Sequence, residues 1–151
     1  KAKLEERLSA AKSDGIRVAA IGKLTSSVPS GGHFVLPQLL TDIPDGHEVL
    51  REELFGPVLV VQVFGDEAEA LALANATDFG LCAGIWTRDG GRQLRLAKGI
   101  RSGQVFINNY GAAGGVELPF GGVGRSGHGR EKGFEGLRSY TRIKTIAIKH
   151  G

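Results

Sequence analysis

The chain has no methionine, a single cysteine and no long apolar run, and each scarcity removes a class of reading. Without an initiator residue, the 151 residues are expected to be a trimmed or excised piece of a longer polypeptide. Cys82 has no second cysteine with which to build a disulfide framework, so a reducing, cytoplasmic setting is expected. His33, His47, His128 and His150 are scattered at spacings that suit no metal, and no metal is expected. No stretch reaches the roughly 18 consecutive apolar residues of a membrane span, and the opening Lys1-Ala2-Lys3-Leu4-Glu5-Glu6-Arg7 is too charged for a signal peptide. A membrane partner is therefore not expected.

Acidic side chains are scarce at one end only. Residues 1–120 carry 12 basic and 14 acidic groups, whereas residues 121–151 carry 7 and 2. The net charge of +3 is thus local, reads as a solvated basic face, and gives no reason to expect a nucleic-acid partner.

What is present is a globular composition, 41% apolar and 23% charged, long enough for one domain with a sizeable core. Leu4, Leu8 and Ala11 at helical spacing, with Gly15 as a stop, predict a helix over residues 1–14 and a strand over 16–21. Residues 22–32 read as a surface loop, and residues 34–40 as an extended segment that Pro37 bars from a central ladder position. The nearly continuous apolar run from Val58 to Phe64 predicts a strand buried on both faces. Asp66 with Glu69 opens a helix carrying Ala68, Leu71 and Leu73, followed by a strand over 81–86, a helix over 89–98 and a strand over 103–107. That alternation argues for a mostly parallel sheet with helices packed on it. A short helix over 130–138 and a β-branched strand over 140–149 close the chain.

Residues 111–136 hold 10 glycines in 26 positions. Within them Gly122-Val123-Gly124-Arg125-Ser126-Gly127 fits the glycine spacing of a dinucleotide-binding turn, but Leu118-Pro119-Phe120 precedes it in place of a buried strand. Thr141-Arg142-Ile143 stands where an acidic residue belongs, so the match is read as accidental. Gly124-Arg125-Ser126-Gly127-His128 lacks the last glycine of a serine elbow. Cys82, between Leu81 and Ala83, reads as a small buried hydrophobe and not as a nucleophile. Glu52-Glu53-Leu54-Phe55-Gly56-Pro57 is more informative, because a turn there fixes carboxylates beside an aromatic ring. A carboxylate that accepts sugar hydroxyls next to a ring face suits a nicotinamide riboside.

This motif, followed in order by Phe106-Ile107-Asn108, Pro119-Phe120-Gly121-Gly122, Ser126-Gly127-His128-Gly129-Arg130-Glu131 and the basic final strand, resembles the C-terminal part of an NAD(P)-dependent aldehyde dehydrogenase over nearly the whole chain. The resemblance implies an α/β fold of three layers, a mostly parallel sheet with flanking helices, present here incompletely. It implies residues 1–138 as the C-terminal part of the catalytic domain and residues 139–151 as an oligomerisation strand, with Tyr140 to Lys149 joining a neighbouring subunit in a homo-oligomer. By the same resemblance Glu53 and Phe55 contact the ribose and ring of NAD or NADP, Asn108 supports the active site, and Phe120 lines the substrate tunnel. Tyr110 and Glu117, within the variable residues 109–118, are further candidates for the tunnel mouth.

The implied reaction oxidises a small aldehyde to its acid: a cysteine thiolate attacks, hydride passes to the nicotinamide, and water activated by a glutamate hydrolyses the thioester. Cysteine and glutamate belong to motifs N-terminal to this chain, which alone is expected to be inert. Two alternatives stand beside this reading. One is an acylating or reductive semialdehyde dehydrogenase of the same fold. The other is a non-enzymatic nucleotide- or anion-binding module built on the basic glycine-rich segment.

Overall fold

The helical spacing of Leu4, Leu8 and Ala11 is realised in α1 (Ala2–Ser13), which buries all three along one stripe. The computed structural model describes residues 1–25, 27–29, 31–110 and 115–151. The chain divides into two units, Lys1–Gly65 and Asp66–Gly151.

In the first unit Gly15 takes φ +85 after α1, the left-handed backbone that a Cβ disfavours, and returns the chain as β1 (Arg17–Ile21). β2 (Gln38–Thr41) pairs antiparallel with β1 and parallel with β3 (Val58–Val60), so β2 is central in a three-stranded sheet. The expectation that Pro37 keeps this segment from the centre is corrected by one residue. The ladder begins after the proline, where Gln38 N donates to Pro57 O (2.9 Å), and Pro37 needs only its carbonyl, which accepts from Gly22 N (2.8 Å). α1 covers one face of the sheet, and Leu4, Leu8, Ala11, Ile16, Leu40 and Val49 form the core.

The predicted strand over Val58 to Phe64 is shorter than expected and is buried on one face only. It ends at Val60; Val58 and Val60 pack on the core, whereas Leu59 is 64% exposed and Val63 89% exposed. The period of two sends alternate side chains to opposite faces, and within this chain only one of those faces is covered.

The second unit opens with α2 (Glu67–Ala74), whose N-cap Asp66 accepts from Glu69 N (2.8 Å) as the sequence predicts. β4 (Phe79–Gly80) leads to β5 (Cys82–Ile85), α3 (Gly90–Gly99) and β6 (Gln104–Ile107). β5 and β6 run parallel, from Cys82 opposite Gln104 to Ile85 opposite Ile107, a strand–helix–strand unit. β7 (Val123–Gly124) pairs antiparallel with β4, and α4 (Gly133–Arg138) starts three residues later than expected, at a glycine of φ +60. Neither α2 nor α3 has a fully buried residue. From Tyr140 to Lys149 there is no ladder at all. Every residue of that segment is exposed, Ile143 completely, because a strand needs a neighbour's N–H and C=O groups and no described residue supplies them. Among the described residues no helix is long and apolar enough to cross a membrane.

Candidate functional site

The Glu52–Pro57 turn is mounted on the first unit from both ends. Upstream, His47 caps a single 3-10 turn (Glu48–Leu50) by accepting from Val49 N at Nδ1 (3.2 Å), and Val49 is buried. The Glu48 carbonyl then accepts from Arg51 N (2.9 Å) and Glu52 N (2.8 Å). Downstream, Val58 N closes on Gly56 O (2.7 Å) as β3 begins. Between these anchors Leu54 packs on the core, Glu53 is exposed, and Phe55 holds its ring out with 86% of the residue exposed.

Phe55 takes φ +48, a left-handed backbone that costs a bulky residue about 1–2 kcal/mol. Gly56 lets the turn lie close against α1, since a Cβ at 56 would strike the Leu4 side chain. A large apolar ring turned into solvent on strained backbone, beside a solvated carboxylate, suits a flat ligand on the ring and hydroxyls on the acid. Glu53 and Phe55 are therefore neighbours on one turn, as the motif implies.

In the second unit Asn108 and Tyr110 follow the C-terminal end of β6, the end at which open α/β sheets bind ligands, whereas Phe120 precedes Gly121, whose carbonyl faces Gly103 at the start of that strand. Asn108 follows β6 at φ +52, a conformation that asparagine tolerates. Its N–H donates to Ile85 O (2.7 Å). Its side chain grips the backbone of Thr87 from both sides, Oδ1 accepting from Thr87 N (2.9 Å) and Nδ2 donating to Thr87 O (3.0 Å). Asn108 therefore welds the ends of β5 and β6, which fits a supporting role and leaves its amide little capacity for a ligand. Tyr110 is 69% exposed and meets Phe106 edge-on, ring centroids 6.2 Å apart. Phe120 is half-buried and exchanges two backbone hydrogen bonds with Glu131 (both 2.7 Å), with Lys132 Nζ 5.7 Å from its ring centroid. Glu117 is exposed. Residues 111–114 of the variable segment lie outside the described residues.

The glycine-rich run folds on itself. No helix opens at Gly122–Gly127; the segment forms β7 and a tight turn in which Ser126 Oγ accepts from Gly80 N (3.0 Å). A Cβ at Gly103 would meet the Gly121 carbonyl, one at Gly124 the Asp78 carbonyl, and one at Gly121 would lie 2.5 Å from the Gly129 carbonyl. These glycines admit neighbouring backbone, and the groups they face are oxygens, which repel phosphate. Arg130, the basic group at its centre, donates to Gly122 O (2.9 Å) and Gly129 O (2.6 Å). Cys82 is free and half-buried on β5.

The strongest acid perturbation lies apart from these groups. Arg95 beside Glu67 holds its carboxyl down to about 2 through bonds from Nε (2.7 Å) and Nη2 (2.8 Å), and Arg92 Nε adds a third at 3.2 Å. This network joins α2 to α3, and Asn75 staples the far ends of the two helices, donating to Gly99 O (3.0 Å) and accepting from Arg101 N (2.7 Å). Sequence reasoning missed Thr87, Asn75 and Arg130 as structural partners. Their signal is small, a polar residue at an element end whose counterpart lies far along the chain.

The sequence profile of the aldehyde dehydrogenase family matches residues 1–146. Betaine aldehyde dehydrogenase 1 of Rhizobium meliloti (strain 1021) is 41% identical over 140 residues, which cover 93% of this chain and 28% of that protein. A crystal structure described as an aldehyde dehydrogenase from Burkholderia cenocepacia superposes with a TM-score of 0.92 at 60% identity, covering 99% of this chain and 31% of that one. A Mycobacterium tuberculosis aldehyde dehydrogenase complexed with NAD+ matches at TM-score 0.85 and 32% identity, over 99% of this chain and 30% of that one. The chain thus spans less than a third of the length of these relatives.

Proposed function

Because the chain belongs to the aldehyde dehydrogenase family, we propose that it supplies the coenzyme-facing turn and part of the substrate tunnel of an enzyme that oxidises an aldehyde to its carboxylic acid with NAD or NADP. The observation that carries this reading is the Glu53–Phe55 pair, an exposed carboxylate beside a ring displayed at 86% exposure on positive-φ backbone. Glu53 would hold the nicotinamide ribose through its hydroxyls, and Phe55 would pack on the pyridine ring. Bound there, NAD(P) supplies the acceptor for the two electrons removed from the aldehyde.

The chain's own residues bind, orient and shape. Asn108 keeps the ends of β5 and β6 rigid through Thr87, so that groups beyond them hold their geometry. Phe120 and Tyr110 line the path of the aldehyde. The attacking cysteine and the glutamate that activates water come from other parts of the protein, so residues 1–151 by themselves turn nothing over.

Residues 1–138 belong in this reading to the catalytic domain and residues 139–151 form the oligomerisation strand. Supporting the second assignment is a ten-residue segment, Tyr140 to Lys149, rich in β-branched residues and without a ladder of its own. A neighbouring subunit would give it one, making the protein a homo-oligomer. The cytoplasm suits a protein whose one described cysteine is unpaired.

Glu53→Gln in the full-length protein tests the central claim. It removes a charged acceptor and is expected to slow hydride transfer or weaken coenzyme binding by about 1.5–3 kcal/mol. Pre-steady-state rate and NAD affinity both equal to wild type would end the assignment.

A further inference from the structure

We infer that His47 is a positioning residue for the Glu53–Phe55 turn, which it holds in order through the acceptor that its Nδ1 offers to Val49 N. The inference rests on the reading of that turn as the coenzyme's seat. His47 lies between the end of α1 and the 3-10 turn, with its side chain 15% exposed. Nδ1 accepts from Val49 N (3.2 Å), and Nε2 lies 3.2 Å from Asp14 Oδ2.

One neutral tautomer satisfies both contacts: the proton sits on Nε2 and points at Asp14, and the Nδ1 lone pair receives the Val49 N–H. Without that lone pair the Val49 N–H has no acceptor, a loss that another side chain able to accept would repair.

Release at Val49 reaches the site through few bonds. Leu50 N is held by His47 O (3.1 Å), and Arg51 N and Glu52 N both hang on Glu48 O (2.9 and 2.8 Å). Glu53 and Phe55 follow at once, with Leu54 the only core anchor between them. Loosening residues 48–52 therefore frees the carboxylate and ring to wander and lowers the population of the binding geometry, which weakens apparent affinity in proportion.

The test uses the full-length protein with His47→Ala and His47→Asn. Alanine removes the acceptor; asparagine keeps an oxygen for the Val49 N–H. His47→Ala should weaken NAD binding, measured by calorimetry, about 3- to 10-fold, and should speed amide exchange from Val49 to Phe55 in the coenzyme-free protein. His47→Asn should restore both.

An asparagine variant that restores neither quantity, or an alanine variant with unchanged exchange, overturns the inference. If His47→Ala does not fold, His47→Leu takes its place, filling the space without an acceptor, with the same outcomes. Glu53→Gln with both NAD affinity and hydride-transfer rate of wild type means that the coenzyme seat is wrong, whereas wild-type behaviour of both His47 variants beside an impaired Glu53→Gln sinks this inference alone.

Discussion

Between Lys1 and Gly65, α1 lays Leu4, Leu8 and Ala11 on a sheet whose central Leu40 is 1% exposed, and six buried apolar side chains form one cluster. Among the described residues between Asp66 and Gly151, the buried ones are Ile85 and three glycines, Gly80, Gly122 and Gly136. The first unit is assembled from side chains, in the ordinary manner of a hydrophobic core. The second is assembled from backbone laid against backbone, helix caps and staples such as Asn75 and Asn108. Its apolar groups look outward instead: Trp86 is 70% exposed and Phe134 71%. Surface of that kind marks contact with further protein, so a region can be well ordered by polar stitching while its apolar faces await cover.

Substitutions at four positions sharpen that contrast. Leu40→Ala should be the most damaging, about 2–5 kcal/mol in a denaturant titration, because it empties the middle of the one real core. Gly103→Ala should follow at about 1–3 kcal/mol, since the new methyl meets the Gly121 carbonyl; it should speed amide exchange in residues 120–131 and spare β1 to β3. If it perturbs both units equally, the separation between them is wrong.

Asn108→Ala should cost about 1–3 kcal/mol, combining lost bonds to Thr87 with an alanine forced to φ +52. Asn108→Gly relieves the backbone part, and the difference between the two variants measures it. Smallest is the effect of Glu67→Gln. Folding lowers this carboxyl from 4.5 to about 2, so its contribution is complete above 4.5 and fades as pH falls toward 2. The gap between wild type and Glu67→Gln in urea midpoint should shrink over that window and be constant above it. A constant gap down to pH 2 would show that Arg92 and Arg95 do not hold the acid.

The legibility of the sequence divides along the same line. Side-chain patterning was readable: α1, the Asp66 cap and the β5–α3–β6 alternation follow from periodicity and capping residues that act within a few positions. The Glu53–Phe55 turn was readable because its residues are contiguous. The one-sided exposure of Val58 to Phe64 was not, because a continuous apolar run reports what the whole protein covers and not what this chain covers. Nor was the meaning of the glycines. A dinucleotide turn and a backbone-packed knot both require missing Cβ atoms, and only the carbonyls of Asp78, Gly121 and Gly129 in front of them distinguish the two. The final segment reads as a strand in composition yet has no strand partner among the described residues, since pairing is a property of two segments.

Leu4 fills the space that a side chain at Gly56 would need, although the two lie at opposite ends of the first unit's sequence. The six-residue motif is consequently not portable. Transplanted to a scaffold without that leucine wall it would keep its letters and lose the packing behind Gly56, while enlarging Leu4 in place would press on the turn that displays Phe55.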